Sequence, residues 1–145
     1  MALFVSGIKC TLCGKQVIKK DDGISFPAFV VNEADPLYIF NDSVVHKECF
    51  SNHPMSNKVT ELLNELQNSV GPQKRTCNIC NNKITNPDDY IAFGCMSSDD
   101  LNPLSSYNFK QYHKSCFVNS EESKNIKRLI SQTEEENRWK GKLGF

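Results

Sequence analysis

The chain has no long apolar run, no excess charge of either sign and no phosphate-cradling glycine loop, and each absence removes a class of function. No segment approaches the roughly 18–20 apolar residues that a membrane-crossing helix needs. The apolar run at residues 2–5 is also too short for a signal-peptide core. Seventeen Lys/Arg balance seventeen Asp/Glu. This is a poor footprint for non-specific nucleic-acid binding, whose affinity comes largely from neutralising phosphates. No Ser or Cys stands in a recognisable nucleophile motif, so no enzymatic activity is expected.

What the chain does have is cysteine in a metal-like pattern. Seven cysteines, an odd number, argue against a secreted disulfide framework and for a reducing, cytoplasmic setting. Six of them, with two of the three histidines, form two identical quartets: Cys10, Cys13, His46, Cys49 and Cys77, Cys80, His113, Cys116. Each reads C-x2-C, 32 residues, H-x2-C, and the second quartet stands 67 residues beyond the first. Three thiolates and one imidazole complete a tetrahedral shell for zinc and leave no position for a reactive water. Two structural zinc ions are therefore expected. His46 and Glu48 spell the H-x-E of zinc deaminases, but the order of the pairs is wrong and the second copy has Ser115. Two ligand pairings satisfy the count, one within each half and one exchanging Cys10 and Cys13 onto His113 and Cys116. Pairing within each half is the simpler.

The match between halves extends past the ligands without gaps. Asp21-Asp22 aligns with Asp88-Asp89, Ile24 and Phe26 with Ile91 and Phe93, and Asn41 with Asn108. Val59, Leu62 and Leu63 align with Ile126, Leu129 and Ile130. Duplication of one module is the simplest account. It divides the chain into residues 1–68, a linker at 69–75, a second module at 76–134 and a tail at 135–145, outside the repeat and expected to fray. The short linker implies contact between modules. Metal suits units of this size, because about 60 residues bury little apolar surface.

Within each module the knuckle needs a residue tolerant of positive φ after the second cysteine, and Gly14 and Asn81 supply it. Short strands are expected at 24–26, 28–31 and 37–40, and in the second copy at 90–93 and 107–112. The H-x2-C pair fits the first turn of a helix, where residues three apart share a face. Met55, Val59, Leu62, Leu63 and Leu66 form an apolar helical stripe, and Ser120 followed by Glu121 and Glu122 reads as a helix start. The aspartate pairs read as turns. Cys95, aligned with Ala28, reads as a small buried hydrophobe. His53 reads as an exposed helix-start residue. Trp139 reads as a partner anchor or as part of a loosely docked tail.

A knuckle, a β-hairpin and a helix, carrying C-x2-C and H-x2-C-Phe, resemble a treble-clef zinc finger over about residues 8–67 and 75–134. In ligand spacing they are closest to the poly(ADP-ribose) polymerase-type fingers, and more distantly similar to LIM and RING-like domains. The resemblance implies a small, zinc-stabilised α+β fold of two tandem treble-clef-like modules. DNA-break recognition does not transfer, since neither half is strongly basic. The functional expectation is a non-catalytic interaction protein, an adaptor or inhibitor of a protein partner. The alternative is nucleic-acid (DNA) binding through Lys74, Arg75 and the basic tail from Arg138 to Lys142. No membrane association is expected.

Overall fold

Asp21-Asp22 and Asp88-Asp89 each lie in a short 3-10 turn that delivers the chain into a three-residue strand. In this computed structural model, which describes residues 3–145, those strands are β1 (Gly23–Ser25) and β3 (Tyr90–Ala92). Strand β1 pairs antiparallel with β2 (Val44–His46), placing Gly23 opposite His46. Strand β3 pairs in the same way with β4 (Gln111–His113), placing Tyr90 opposite His113. Each hairpin therefore ends on a ligand histidine. The fold is a small α+β arrangement of two hairpins and four helices around two similar ligand clusters.

The second strand of the first hairpin is not where the sequence suggests, and in the second hairpin only residues 111–112 of the expected 107–112 are strand. Residues 37–40 belong to the 3-10 turn Pro36–Phe40, and the equivalent turn Pro103–Tyr107 takes up the start of 107–112. The reason is local capping. Asp35 and Asn102 accept the amides of Leu37 and Leu104 at 2.9 and 3.0 Å, while proline at the first position presets φ. Residues 28–31 form no strand either; Val30 makes only an isolated parallel bridge to Cys95.

Helices α1 (Lys47–Ser51) and α3 (Lys114–Phe117) follow directly, with His46 and His113 as their N-caps and Cys49 and Cys116 in their first turns. Helix α2 (Ser56–Ser69) restarts beyond Pro54 and buries Val59 and Leu62. Ahead of it, His53 packs edge-on against Phe40 at 5.1 Å and accepts the Met55 amide at 3.2 Å, so its ring is part of the turn. Helix α4 (Glu121–Glu135) starts as expected, Ser120 accepting the Ser123 amide at 3.0 Å. It ends in a Schellman motif: Asn137 has φ +57, and the amides of Arg138 and Asn137 return to Thr133 and Glu134. No helix among the described residues is long and apolar enough to cross a membrane.

Two apolar clusters form, and the boundary between them does not follow the sequence repeat. The first gathers Phe26, Phe29, Phe40, Val45, Val59 and Leu62, and also takes Cys95 and Phe109 from the second half. The second gathers Phe93, Leu104, Tyr112, Phe117 and Ile126, with Val31 of the first half packed against it. Along the seam the Cys95 amide donates to Phe29 O at 2.6 Å and the Val31 amide to Cys95 O at 3.0 Å. Asp35 accepts from both the amide and the hydroxyl of Ser98, each at 2.8 Å.

The expected fraying of the tail is not what the structure shows: residues 139–145 pack along this seam. Trp139 is 4% exposed and belongs to the second cluster, so its ring is part of the core and is not presented to a partner. Asn32 accepts the Lys140 amide at 3.0 Å and donates to Arg138 O at 2.9 Å, tying the tail to the first half. Phe145 packs edge-to-face against Phe117 with centroids 4.9 Å apart. Trp139→Ala should therefore cost about 3–5 kcal/mol of stability, read as a lower denaturant midpoint. A midpoint equal to the parent's would mean the tail is undocked in solution.

Candidate metal centres

Each knuckle is shaped by its backbone before any ion is considered. Gly14 and Asn81 adopt φ +74 and +60, as the sequence requires. Their amides return to Cys10 O and Cys77 O at 2.8 and 2.9 Å. That turn aims amides at the first sulfur of each quartet, and the His46 amide lies 3.4 Å from Cys10 Sγ. Burial alone would push the Cys10 and Cys77 thiols up. Backbone donors, from His46, Cys13 and Leu12 in one knuckle and Cys80, His113 and Ile79 in the other, bring each down to about 6. Burial and the neighbouring cysteines push Cys49 and Cys116 the other way, to about 11.

The structure brings together all eight residues singled out from the sequence, as two groups of four, each within its own half. The exchanged pairing is not the one formed. In each group the ligand atoms lie within 4.8 Å of one another. The first cysteine of each group is buried and the second exposed, with the histidine and last cysteine between. His46 Nδ1 is 3.4 Å from Cys13 Sγ and 3.8 Å from Cys49 Sγ. In the second group the matching distances are 3.4 and 3.9 Å. Zinc bonds of about 2.3 Å to sulfur and about 2.0–2.1 Å to nitrogen, at the tetrahedral angle, put S and N about 3.6 Å apart. Each group thus fits one zinc ion, with Nδ1 as the coordinating nitrogen.

Supporting contacts orient the ligands. His46 Nε2 donates to Gln16 O at 3.1 Å, which leaves Nδ1 free to coordinate. Hydrogen bonding to the Cys10 sulfur, with help from Cys13 and the Gln16 carbonyl, raises the His46 pKa above its ordinary value. In the second half Asp89 accepts the Ser115 amide at 2.9 Å and its hydroxyl at 3.0 Å, fixing the helix turn between His113 and Cys116. Those hydrogen bonds hold its carboxyl below the usual range. Asn78, inside the second knuckle, donates its amide to Gln111 O at 2.8 Å and accepts the Gln111 amide at 2.9 Å, which ties the knuckle to β4.

Asn41 and Asn108 serve the loops. Asn41 Oδ1 accepts the amides of Phe29 and Val30, and Asn108 Oδ1 those of Met96 and Ser97. Their shared alignment position was the available signal for this role. The remaining cysteine, Cys95, is fully buried, and burial pushes its thiol up to about 12. It lies apart from both groups and is an inert core thiol at neutral pH.

Zinc binds thiolates, so an incoming ion must expel the proton that Cys49 and Cys116 hold far above neutrality, whereas Cys10 and Cys77 ionise near pH 6. Apparent zinc affinity should accordingly fall as pH drops from about 8 to about 6, by about tenfold per unit for each proton displaced. Chelator competition across that range measures the slope, and a flat profile would exclude thiolate ligation. Comparison with known proteins finds no match to the chain among family models, curated proteins or solved structures.

Proposed function

We propose that this chain is a tandem treble-clef zinc protein, built by duplication of one module, that binds a protein partner and catalyses no reaction. The observation that carries this reading is the pair of convergent three-Cys, one-His groups, whose four-ligand shells would hold zinc as a structural ion. The order knuckle, hairpin and short helix, repeated at a constant offset, supports the treble-clef outline and the duplication.

A protein partner fits the surface better than nucleic acid does. Net charge is zero, and Ile18, Leu101, Tyr38 and Ile39 are exposed apolar side chains. The basic residues that a nucleic-acid reading would use are largely engaged within the chain. Arg75 lies over the Tyr90 ring at 4.5 Å, Lys140 pairs with Glu33 at 3.4 Å, and Arg138 pairs with Glu136. An adaptor or inhibitor role is in keeping with such a surface.

Two measurements test the reading. Elemental analysis of the purified protein should find two zinc ions per chain, and none would remove its basis. An affinity pulldown with and without nuclease, read by mass spectrometry, should recover a stoichiometric protein partner that survives nuclease treatment. Recovery abolished by nuclease, or steep weakening of the complex with moderate salt, would replace the protein partner with nucleic acid.

A further inference from the structure

We propose that the two zinc sites load as one cooperative unit, because Phe109 and Cys95 of the second half complete the core on which the first site is built. The inference rests on the zinc reading above and goes beyond it in stating how the sites depend on each other.

Phe109 is 2% exposed, and it lies in the first cluster with Phe29, Val30, Val59 and Leu62. Its backbone has φ +58, a left-handed conformation that bulky L-residues avoid. The repeated loop sets that conformation, since the aligned Asp42 has φ +47, and at Phe109 it delivers a bulky ring into the first half's core. Four residues further on stands the ligand His113. Between them Gln111 hydrogen-bonds the second knuckle through Asn78 and donates its side-chain amide to Ser69 O at the end of α2. The frame of the second site is thus anchored on the folded first half.

Dependence also runs the other way. Strand β2, which ends on His46, buries Val44 and Val45 in the first cluster, and the Thr11 amide in the first knuckle donates to Val44 O at 3.2 Å. Cys95 and Phe109 fill that same cluster. Without an ordered second half the first site would rest on a core lacking two buried side chains. Zinc binding free energy in small domains is folding free energy. An ion that orders the shared core removes part of the ordering cost from the other site, which is positive coupling without direct contact between sites.

The test uses the full chain, stripped of metal and given one equivalent of zinc, with loading states counted by native mass spectrometry. Independent equal sites would leave about half of the molecules singly loaded, whereas a coupling factor above about sixteen holds that share below about one fifth. The proposal expects a share below one fifth. Phe109→Ala touches neither ligand group, yet it should weaken loading at both sites and raise the singly loaded share. Phe109→Leu, which keeps most of the volume, should fall between the variant and the parent. A singly loaded share of half or more in the unmutated protein, or a Phe109→Ala protein that loads like the parent, would overturn the coupling. A chain that takes up no zinc would overturn the underlying metal reading as well.

Discussion

Cys49→Ser is expected to abolish metal binding at one or both of the clusters that fit zinc, and with it the folded structure of the first half. Each hairpin has only three residue pairs, and an isolated two-stranded ribbon is at best marginally stable in water. Helix α1 spans five residues, too short to persist alone. Structural zinc contributes about 10–16 kcal/mol of apparent binding free energy in finger peptides. The whole stability of an ordinary domain is about 5–15 kcal/mol. Removing one thiolate leaves a three-ligand site, and the lost affinity is then comparable with the stability itself. Zinc content and a circular-dichroism melt read the result together. Unchanged zinc and an unchanged melt would refute the ligand assignment. A strong chelator added to the parent should produce the same loss without any mutation.

Gly94→Ala is expected to open the seam between the halves. A Cβ at this position would stand 2.6 Å from the carbonyl oxygen of Phe29 and 3.1 Å from Val31 Cγ1. The first obstacle is backbone and cannot rotate away. That carbonyl already accepts the neighbouring Cys95 amide, so displacing it breaks the bridge as well. Overpacking of this kind costs about 1–3 kcal/mol, and the loss should appear as a lower melting temperature. Gly71, with open space around its Cβ and an extended φ, is the internal control, and its alanine variant should melt like the parent. Equal melting of Gly94→Ala and Gly71→Ala would mean that the halves do not pack in solution as described.

The parts of the structure that were legible in the sequence are those in which local chemistry decides. Ligand spacing singled out the eight metal-binding candidates, and the need for positive φ explained Gly14 and Asn81. Ser120 marked the start of α4 because a hydroxyl at that position satisfies a free helix amide. Residues 37–40 misled because Leu-Tyr-Ile-Phe has strong β propensity, whereas the Asp35 cap and Pro36 commit the segment to a 3-10 turn. The short linker implies contact between the halves, but not which residues make it. Phe109 aligns with Asp42 and shares its positive φ, and nothing in a one-dimensional alignment shows that the aromatic fills the opposite half's core. The tail lies outside the repeat, so no aligned counterpart marks it for burial. Its Trp139, Leu143 and Phe145 pack against a cluster that became visible only with the fold.

Chain growth turns this shared core into a question of timing. At about 5–20 residues per second, the first half is synthesised roughly 2–8 s before Phe109. During that interval its four ligands have already been made, but the cluster beneath them lacks two members. A partly ordered Cys3His group can accept metal early and hold it poorly, or have its thiols oxidised. Folding in the cell is therefore expected to finish only once the residues that hydrogen-bond Asn32 have emerged. Expression in zinc-poor medium should for that reason reduce the yield of folded protein and not merely lower its zinc content.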